Sequence, residues 1–256
     1  MPLAADRIRE HRPGNELHYF PVIGSTMTEA ARLATEGAPH GTVVVADEQT
    51  AGVGRLGRHW LSSAGDGVYC SILLRIPIAK RELPLATLAL GLATAEAIQR
   101  STKLACDLRW PNDVLVNEHK VAGILAQLHD ECIIAGIGIN VNQESLPGDL
   151  RTPATSLRMA LREEVAREPL LISLLECVDE FCALLIEQGP TAILRAFANA
   201  SSYVLHRRVI YDTDLGSRKG VTAGLDNNGF LKVRNDSGLI ETLYTGGVRP
   251  DTGKPF

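Results

Sequence analysis

The segment from Arg109 to Leu125 constrains the fold more tightly than any other part of the chain. Asn112 and Asp113 stand at the mouth of an apolar β-type run, Val114-Leu115-Val116. A turn over Asn117-Glu118-His119 then sends the chain back through Lys120-Val121-Ala122-Gly123-Ile124-Leu125. Folded as a hairpin, this stretch gathers a carboxylate, an amide, an ammonium and a glycine without a side chain into one neighbourhood. An acyl group and a phosphate would both fit such a place. Taken alone, the pattern suits an ordinary hairpin with solvated ends just as well.

A second segment, Gln49-Thr50-Ala51-Gly52-Val53-Gly54-Arg55-Leu56-Gly57-Arg58-His59-Trp60, follows the strand-like Thr42–Ala46. Its glycines let backbone N–H groups approach a ligand, and Arg55 and Arg58 add forked cations suited to phosphate oxygens. The spacing is neither that of a P-loop nor of a dinucleotide-binding turn, because no Gly-Lys-Ser/Thr follows and no clear helix opens. It reads as an anion-binding loop of another kind, or simply as a mobile turn.

Strand and helix patterns alternate along most of the chain. Tyr19–Ile23 reads as a strand leading into Ser25-Thr26, and Thr26-Met27-Thr28-Glu29 as a capping box with Thr26 at a helix N-cap. Ser25 and Thr26 can also meet a polar ligand there, and the two roles are compatible. Val68–Arg75 is a buried strand, and Pro84 opens a helix with its apolar stripe at Leu85, Leu88, Ala89, Leu92 and Ala95. Cys132–Asn140 is a near-continuous apolar strand carrying Gly136 and Gly138. Glycines weaken a strand unless something lies against them, either a flat bicyclic ligand or a tightly packed helix. Leu171, Leu174, Leu175, Val178, Phe181, Cys182 and Leu185 form a core-facing helical stripe that ends at Gly189-Pro190. From Tyr203 the chain turns to short strands, with a hairpin signal at Asp226-Asn227-Asn228-Gly229 and another turn at Asn235–Gly238. The expected organisation is a polar, flexible segment over 1–18, an α+β domain over 19–200 and a small SH3-like β-barrel over 203–250.

Composition removes several function classes. A net charge of −4 gives no global field for nucleic acid, and basic character is confined to the loop at Arg55 and Arg58. The five cysteines, Cys70, Cys106, Cys132, Cys177 and Cys182, are odd in number and scattered, with no zinc-like spacing. They read as reduced, mostly buried thiols of a cytoplasmic protein, and no metal-ligand set is expected. No secretory or transit segment and no apolar run of bilayer length is evident.

Together these segments resemble the biotin protein ligase family. The family's Gly-Arg-Gly-Arg-x-Gly-Arg-x-Trp loop matches Gly52–Trp60 with Val53 at the first arginine position. Its Lys/Arg-Trp-Pro-Asn-Asp and Lys-x-Ala-Gly-Ile-Leu signatures stand at Arg109–Asp113 and Lys120–Leu125, and its Ser-Thr-Asn segment is Ser25-Thr26-Met27. Gly136–Asn142 and Ala154-Thr155-Ser156-Leu157 are similar to later family segments, so the likeness runs in order from about Val22 to Gly247. It implies a mixed sheet flanked by helices, as in lipoate ligases and class II synthetases. It implies a two-step reaction with no covalent enzyme intermediate: ATP activates biotin as biotinyl-5′-AMP, and the lysine amine of a carboxylase's biotin carboxyl carrier domain displaces AMP.

By the same resemblance, Lys120 bridges the biotin carboxylate and the α-phosphate, Arg55 and Arg58 organise the nucleotide, and Mg²⁺ screens the pyrophosphate. Biotin contacts fall to Ser25, Thr26, Gln49, Gly52, Arg55, Trp60, Lys120, Gly123, Leu125, Gly136 and Gly138. Nucleotide contacts fall to Arg55, Arg58, Trp60, Asn112, Lys120, Asn140 and Asn142. A free lysine is only about 0.1% neutral near pH 7.4, so Asp113 is expected to orient the incoming amine or accept its proton. The chain begins only about 20 residues before the likeness does, so no DNA-binding domain, DNA partner or membrane partner is expected; a homodimer is compatible with the reading. Lipoate ligation is the alternative within enzymes, and a non-catalytic small-molecule sensor is the alternative outside them. The ureido-matching set Gln49, Ser25 and Thr26 favours biotin.

Overall fold

The computed structural model describes residues 2–148, 150, 152–213 and 216–251. Met1, part of the segment expected to be flexible, lies outside them. So do Asp149 and Arg151 after the Asn142 segment, and residues 214–215 of the expected barrel.

The first sheet grows from a β-α-β unit. β1 (Leu17–Ile23) runs parallel to β2 (Val43–Gln49), and α2 (Thr26–Thr35) crosses between them. All further pairings are antiparallel: β3 (Gly67–Leu74), β4 (Asp107–Arg109), β5 (Asp113–Val116), β6 (His119–His129) and β7 (Cys132–Asn140) complete the order β1-β2-β3-β7-β6-β5-β4. β3 and β7 are apolar on both faces because the sheet is covered twice. Val43, Val45, Cys70, Ile72, Ile137 and Ile139 face the main core with α3 (Leu83–Thr102) and α5 (Arg167–Gln188). Val44, Leu73 and Ile134 face a smaller core under α2, with Met27, Ala30 and Leu33. That second cover ends with Met27 over Gly136, and the site opens beside it.

A second, wholly antiparallel sheet of order β11-β10-β9-β8-β12 is built from β8 (Leu205–Thr213), β9 (Gly216–Leu225), β10 (Leu231–Asn235), β11 (Ile240–Leu243) and β12 (Val248–Pro250). The β9–β10 turn falls on Asp226–Gly229, where the Asp226 carboxylate accepts from the Asn228 and Phe230 amides. Gly229 seats this turn on α3, because a Cβ there would lie 3.0 Å from Leu88.

Two local expectations change. The polar N-terminus forms a helix, α1 (Ala5–His11), because Leu3 and Ile8 (1% exposed) join the core and the Leu3 amide donates to Asp47. Asp47 is itself buried against Arg167 at 2.9 Å, so the segment closes over an ion pair that needs cover. The N-cap of α2 is Ser25, not Thr26, and no capping box forms: the Thr26 hydroxyl is held by Gln49 and Ser71, and Glu29 pairs with Arg32. The stripe of α5 does end at Gly189-Pro190, and Pro190 opens a further helix, α6 (Pro190–Ala200), where its missing N–H costs nothing.

Candidate active site

The hairpin of β5 and β6 forms around a tight turn. Asn117 and Glu118 take positive φ (50° and 64°) and His119 already begins β6, so the turn is one residue shorter than the sequence suggested. Glu118 is anchored by Arg207 of the second sheet at 2.6 Å. The register places Asp113 opposite Gly123 and brings Lys120 back beside it. Lys120 Nζ lies 2.5 Å from Asp113 Oδ1, while Arg109 Nη2 lies 2.7 Å from Oδ2. Burial raises the Asp113 carboxyl's pKa, but Lys120 and Arg109 outweigh that and hold it below the ordinary carboxylate value. Asp113 is therefore a firm counter-ion with both oxygens engaged. Lys120 is further fixed by its backbone, which exchanges hydrogen bonds with Pro153 and Thr155, and its ammonium stands 5.2 Å from the centre of the Trp60 ring.

The glycine loop folds back on itself through a bridge between Val53 and His59, with a 3₁₀ turn over Arg55–Gly57. Arg55 donates to Asn112 Oδ1 at 3.2 Å and to the Gly246 carbonyl at 3.0 Å, which ties the loop to the hairpin and to the second sheet. Burial lowers the Arg55 pKa; Asp113 opposes the shift and Arg58 adds to it. Among the described residues neither Arg55 nor Arg58 has a carboxylate within ion-pair distance, so both cations are available to an anion.

Two cavities meet at this loop. The smaller, about 50 Å³, is lined by Thr26, Met27, Gln49, Trp60, Gly123, Leu125, Gly136 and Gly138 among others. Its polar end is built by Gln49, whose Oε1 accepts from the Thr26 amide at 2.8 Å and whose Nε2 donates to Ser62 at 2.9 Å. Trp60 Nε1, on the wall of both cavities, is buried without a hydrogen-bond partner, and so is Ser25 Oγ, although Ser25 itself lines neither cavity. The larger cavity, about 230 Å³, is lined by Arg58, His59, Arg109, Asp113, Asn140, Leu146 and Leu150, and by Asp212, Gly246, Gly247, Val248 and Arg249 from the second sheet. Gly54, Arg55, Trp60, Asn112 and Lys120 line both.

Most expected site residues are thus brought together, some in other roles. Gly136 and Gly138 carry the protein's own side chains: a Cβ would lie 2.5 Å from Met27 Sδ and 2.5 Å from the Trp60 indole, respectively. Gly52 lines neither cavity; it lets the loop close, since a Cβ would meet the Trp60 carbonyl at 2.5 Å. Asn112 is a brace, donating to the Ile124 carbonyl while accepting from Arg55. Asn140 lines the larger cavity and donates to the Thr155 carbonyl. Asn142 does not join the site: both its amide atoms engage Val165, pinning the approach to α5. Arg109 and the Gly246–Arg249 segment were not anticipated; the spacing of four between Arg109 and Asp113 was the one available signal.

The model of the biotin/lipoate A/B protein ligase family matches residues 19–144. The bifunctional ligase/repressor BirA of Bacillus subtilis is 34% identical over 245 residues, covering 92% of this chain and 74% of that protein. The biotin–acetyl-CoA-carboxylase ligase of Paracoccus denitrificans is 31% identical over 228 residues, 84% of this chain and 92% of that one. Among solved structures, the biotin protein ligase from Aquifex aeolicus in complex with biotin and ATP aligns with a TM-score of 0.79 at 32% identity, covering 91% of this chain and 97% of that one.

Proposed function

This chain belongs to the biotin/lipoate A/B protein ligase family, and we propose on that premise that it is an ATP-dependent biotin–protein ligase. The observation that carries the reading is the shared wall of Arg55, Asn112 and Lys120 between a small cavity with an apolar floor and a larger cationic one. A carboxylate leaving the first and an α-phosphate held in the second meet at that wall, where fixed cations offset their repulsion.

The small cavity takes the bicyclic head of biotin. Thr26, Gln49 and the unpartnered Ser25 hydroxyl match the ureido carbonyl and N–H groups, and Trp60, Leu125 and the glycine floor supply the apolar wall. The valerate carboxylate reaches Lys120. One carboxylate oxygen attacks the α-phosphorus, the bond to the bridging oxygen breaks, and pyrophosphate leaves with that electron pair. Arg55 and Arg58 hold the nucleotide during this step. The carrier lysine then attacks the anhydride carbonyl, AMP departs with the electron pair of the broken C–O bond, and the amine gives up its proton to solvent to form the amide. Asp113 positions Lys120 in both steps. With both oxygens on cations and its carboxyl acidified, it is poorly suited to take that proton.

Mg²⁺ brought by ATP would supply screening of the phosphate charge. No group of three or more His, Cys, Asp or Glu among the described residues is arranged to cage a metal. The acceptor is a biotin carboxyl carrier domain. The net charge of −4 supports the expectation that DNA is not a partner. Among the described residues no helix is long and apolar enough to cross a membrane. All five cysteines are free and four are buried, which supports a cytoplasmic setting.

The test is incubation with biotin, ATP, Mg²⁺ and an acceptor domain, followed by blotting for biotin, with lipoate as competitor. Transfer of biotin that is insensitive to excess lipoate is the expected result. Transfer of lipoate in place of biotin, or no transfer, would overturn the reading.

A further inference from the structure

Met27 is the one side chain of α2 that reaches the floor of the small cavity at Gly136. It is 8% exposed, and its sulfur lies so close over Gly136 that a Cβ there would stand at 2.5 Å. On its other side Met27 belongs to the smaller core, with Ala30, Leu33, Val44, Leu73, Cys132 and Ile134. It therefore forms the partition between the cavity and that core.

The partition is placed asymmetrically. The polar partners of the cavity lie over β2 and β3, where Gln49 ends β2 and Thr26 accepts from Ser71 of β3. Met27 lies over β7, beside Leu125 of β6. A bicyclic ring whose ureido edge meets Gln49 and Thr26 must turn its opposite, sulfur-bearing edge toward the Met27 thioether. Methionine is unbranched and polarisable, so it fills this boundary by shape alone and offers no strong donor or acceptor.

We propose that Met27 is the specificity-determining residue for the sulfur-bearing edge of the bicycle, limiting which ring systems the cavity accepts. This rests on the ligase reading above. Shortening the side chain opens the cavity toward the smaller core without removing a polar partner of the ureido group. Bulk added at the ring sulfur should then be tolerated, while bulk added to the ureido nitrogens should not.

The experiment compares kcat/KM for carrier labelling with biotin and with biotin sulfone, which adds oxygens at the ring sulfur, in the wild-type chain and in Met27→Ala. The sulfone-to-biotin ratio should rise about tenfold or more in Met27→Ala, the discrimination expected for a small group in an apolar pocket. Met27→Val, which keeps a buried apolar side chain, serves if Met27→Ala does not fold, and should raise the ratio by a smaller factor. An analogue methylated on a ureido nitrogen should remain as poor a substrate as in the wild type. Normal biotin turnover with a ratio unchanged within about twofold would overturn the assignment of Met27 alone. No biotin turnover by the wild-type chain would overturn the ligase reading and this inference with it.

Discussion

Asp113 gives one oxygen to Lys120 and the other to Arg109, and Arg109 is only 3% exposed. A buried guanidinium stripped of its carboxylate is left uncompensated, so Asp113→Asn should destabilise the fold by about 3–5 kcal/mol. The pH dependence follows from the direction of the shift. The Asp113 pKa is lower in the folded chain, so its contribution is complete above the unfolded value of about 3.9 and fades as pH falls toward the folded one. The stability gap between wild type and Asp113→Asn, measured by urea unfolding, should therefore be flat above about pH 5 and shrink below it. A gap that widens on acidification would contradict this account.

Lys120 makes a different case, because it is partly exposed and lines both cavities. Lys120→Ala should cut biotin-dependent pyrophosphate release by at least the ~1.5–3 kcal/mol of a charge-assisted contact, with much less effect on melting. Near-wild-type release from a folded variant would remove Lys120 from the reaction. Val53 stands on the exposed side of the loop, paired with His59 and lining the smaller cavity. A cation there would join Arg55 and Arg58, so Val53→Arg should slow escape of labelled biotinyl-5′-AMP by an amount worth ~1–3 kcal/mol in a closed loop. An unchanged escape rate would mean that backbone amides, not arginines, retain the intermediate.

At the scale of elements, what was legible in the sequence was what local chemistry dictates. The β5–β6 hairpin could be read because Val114–Val116, Asn117 and Lys120–Leu125 carry their pairing and turn signals within one short stretch. The need for something against Gly136 and Gly138 was legible too, but not its identity, since Met27 and Trp60 arrive from other elements. The α2 cap was misplaced by one residue because tertiary partners hold the Thr26 hydroxyl: it donates to Gln49 and accepts from Ser71 where a capping box would have it accept from the backbone. Asn142 was misassigned for the same reason: Val165 claims it. The glycine floor yields a test. Gly138→Ala places a methyl 2.5 Å from the Trp60 ring and must displace it, so the biotin KM should rise about tenfold or more, with a stability loss of about 1–3 kcal/mol. An unchanged KM would show that Trp60 is not part of the biotin wall.

At the scale of the whole molecule, the two sheets are one structure around the larger cavity. Trp110, buried on the first sheet's side, donates to the Gly229 carbonyl at 2.9 Å, and Tyr203 lies beneath both Arg109 and Arg207. Arg55 reaches the Gly246 carbonyl. Nothing local in the sequence announces these contacts, which is why the second sheet read only as a small SH3-like barrel with no site residues of its own. Cutting the chain at Tyr203 would strip Trp110 of its acceptor and expose the shared core, so truncation cannot separate the roles of the two sheets. A point change can. Asp212 and Gly246–Arg249 line the larger cavity, and among the described residues none of the second sheet lines the smaller one. Arg249 pairs with Asp212 at 3.0 Å and so presents a positioned cation at the cavity wall. Arg249→Ala should raise the KM for ATP by about tenfold, a contact of ~1.4 kcal/mol, while the biotin dissociation constant measured by calorimetry changes less than about threefold. Equal losses in both would mean that the second sheet supports the fold of the site as a whole and has no separate part in holding the nucleotide.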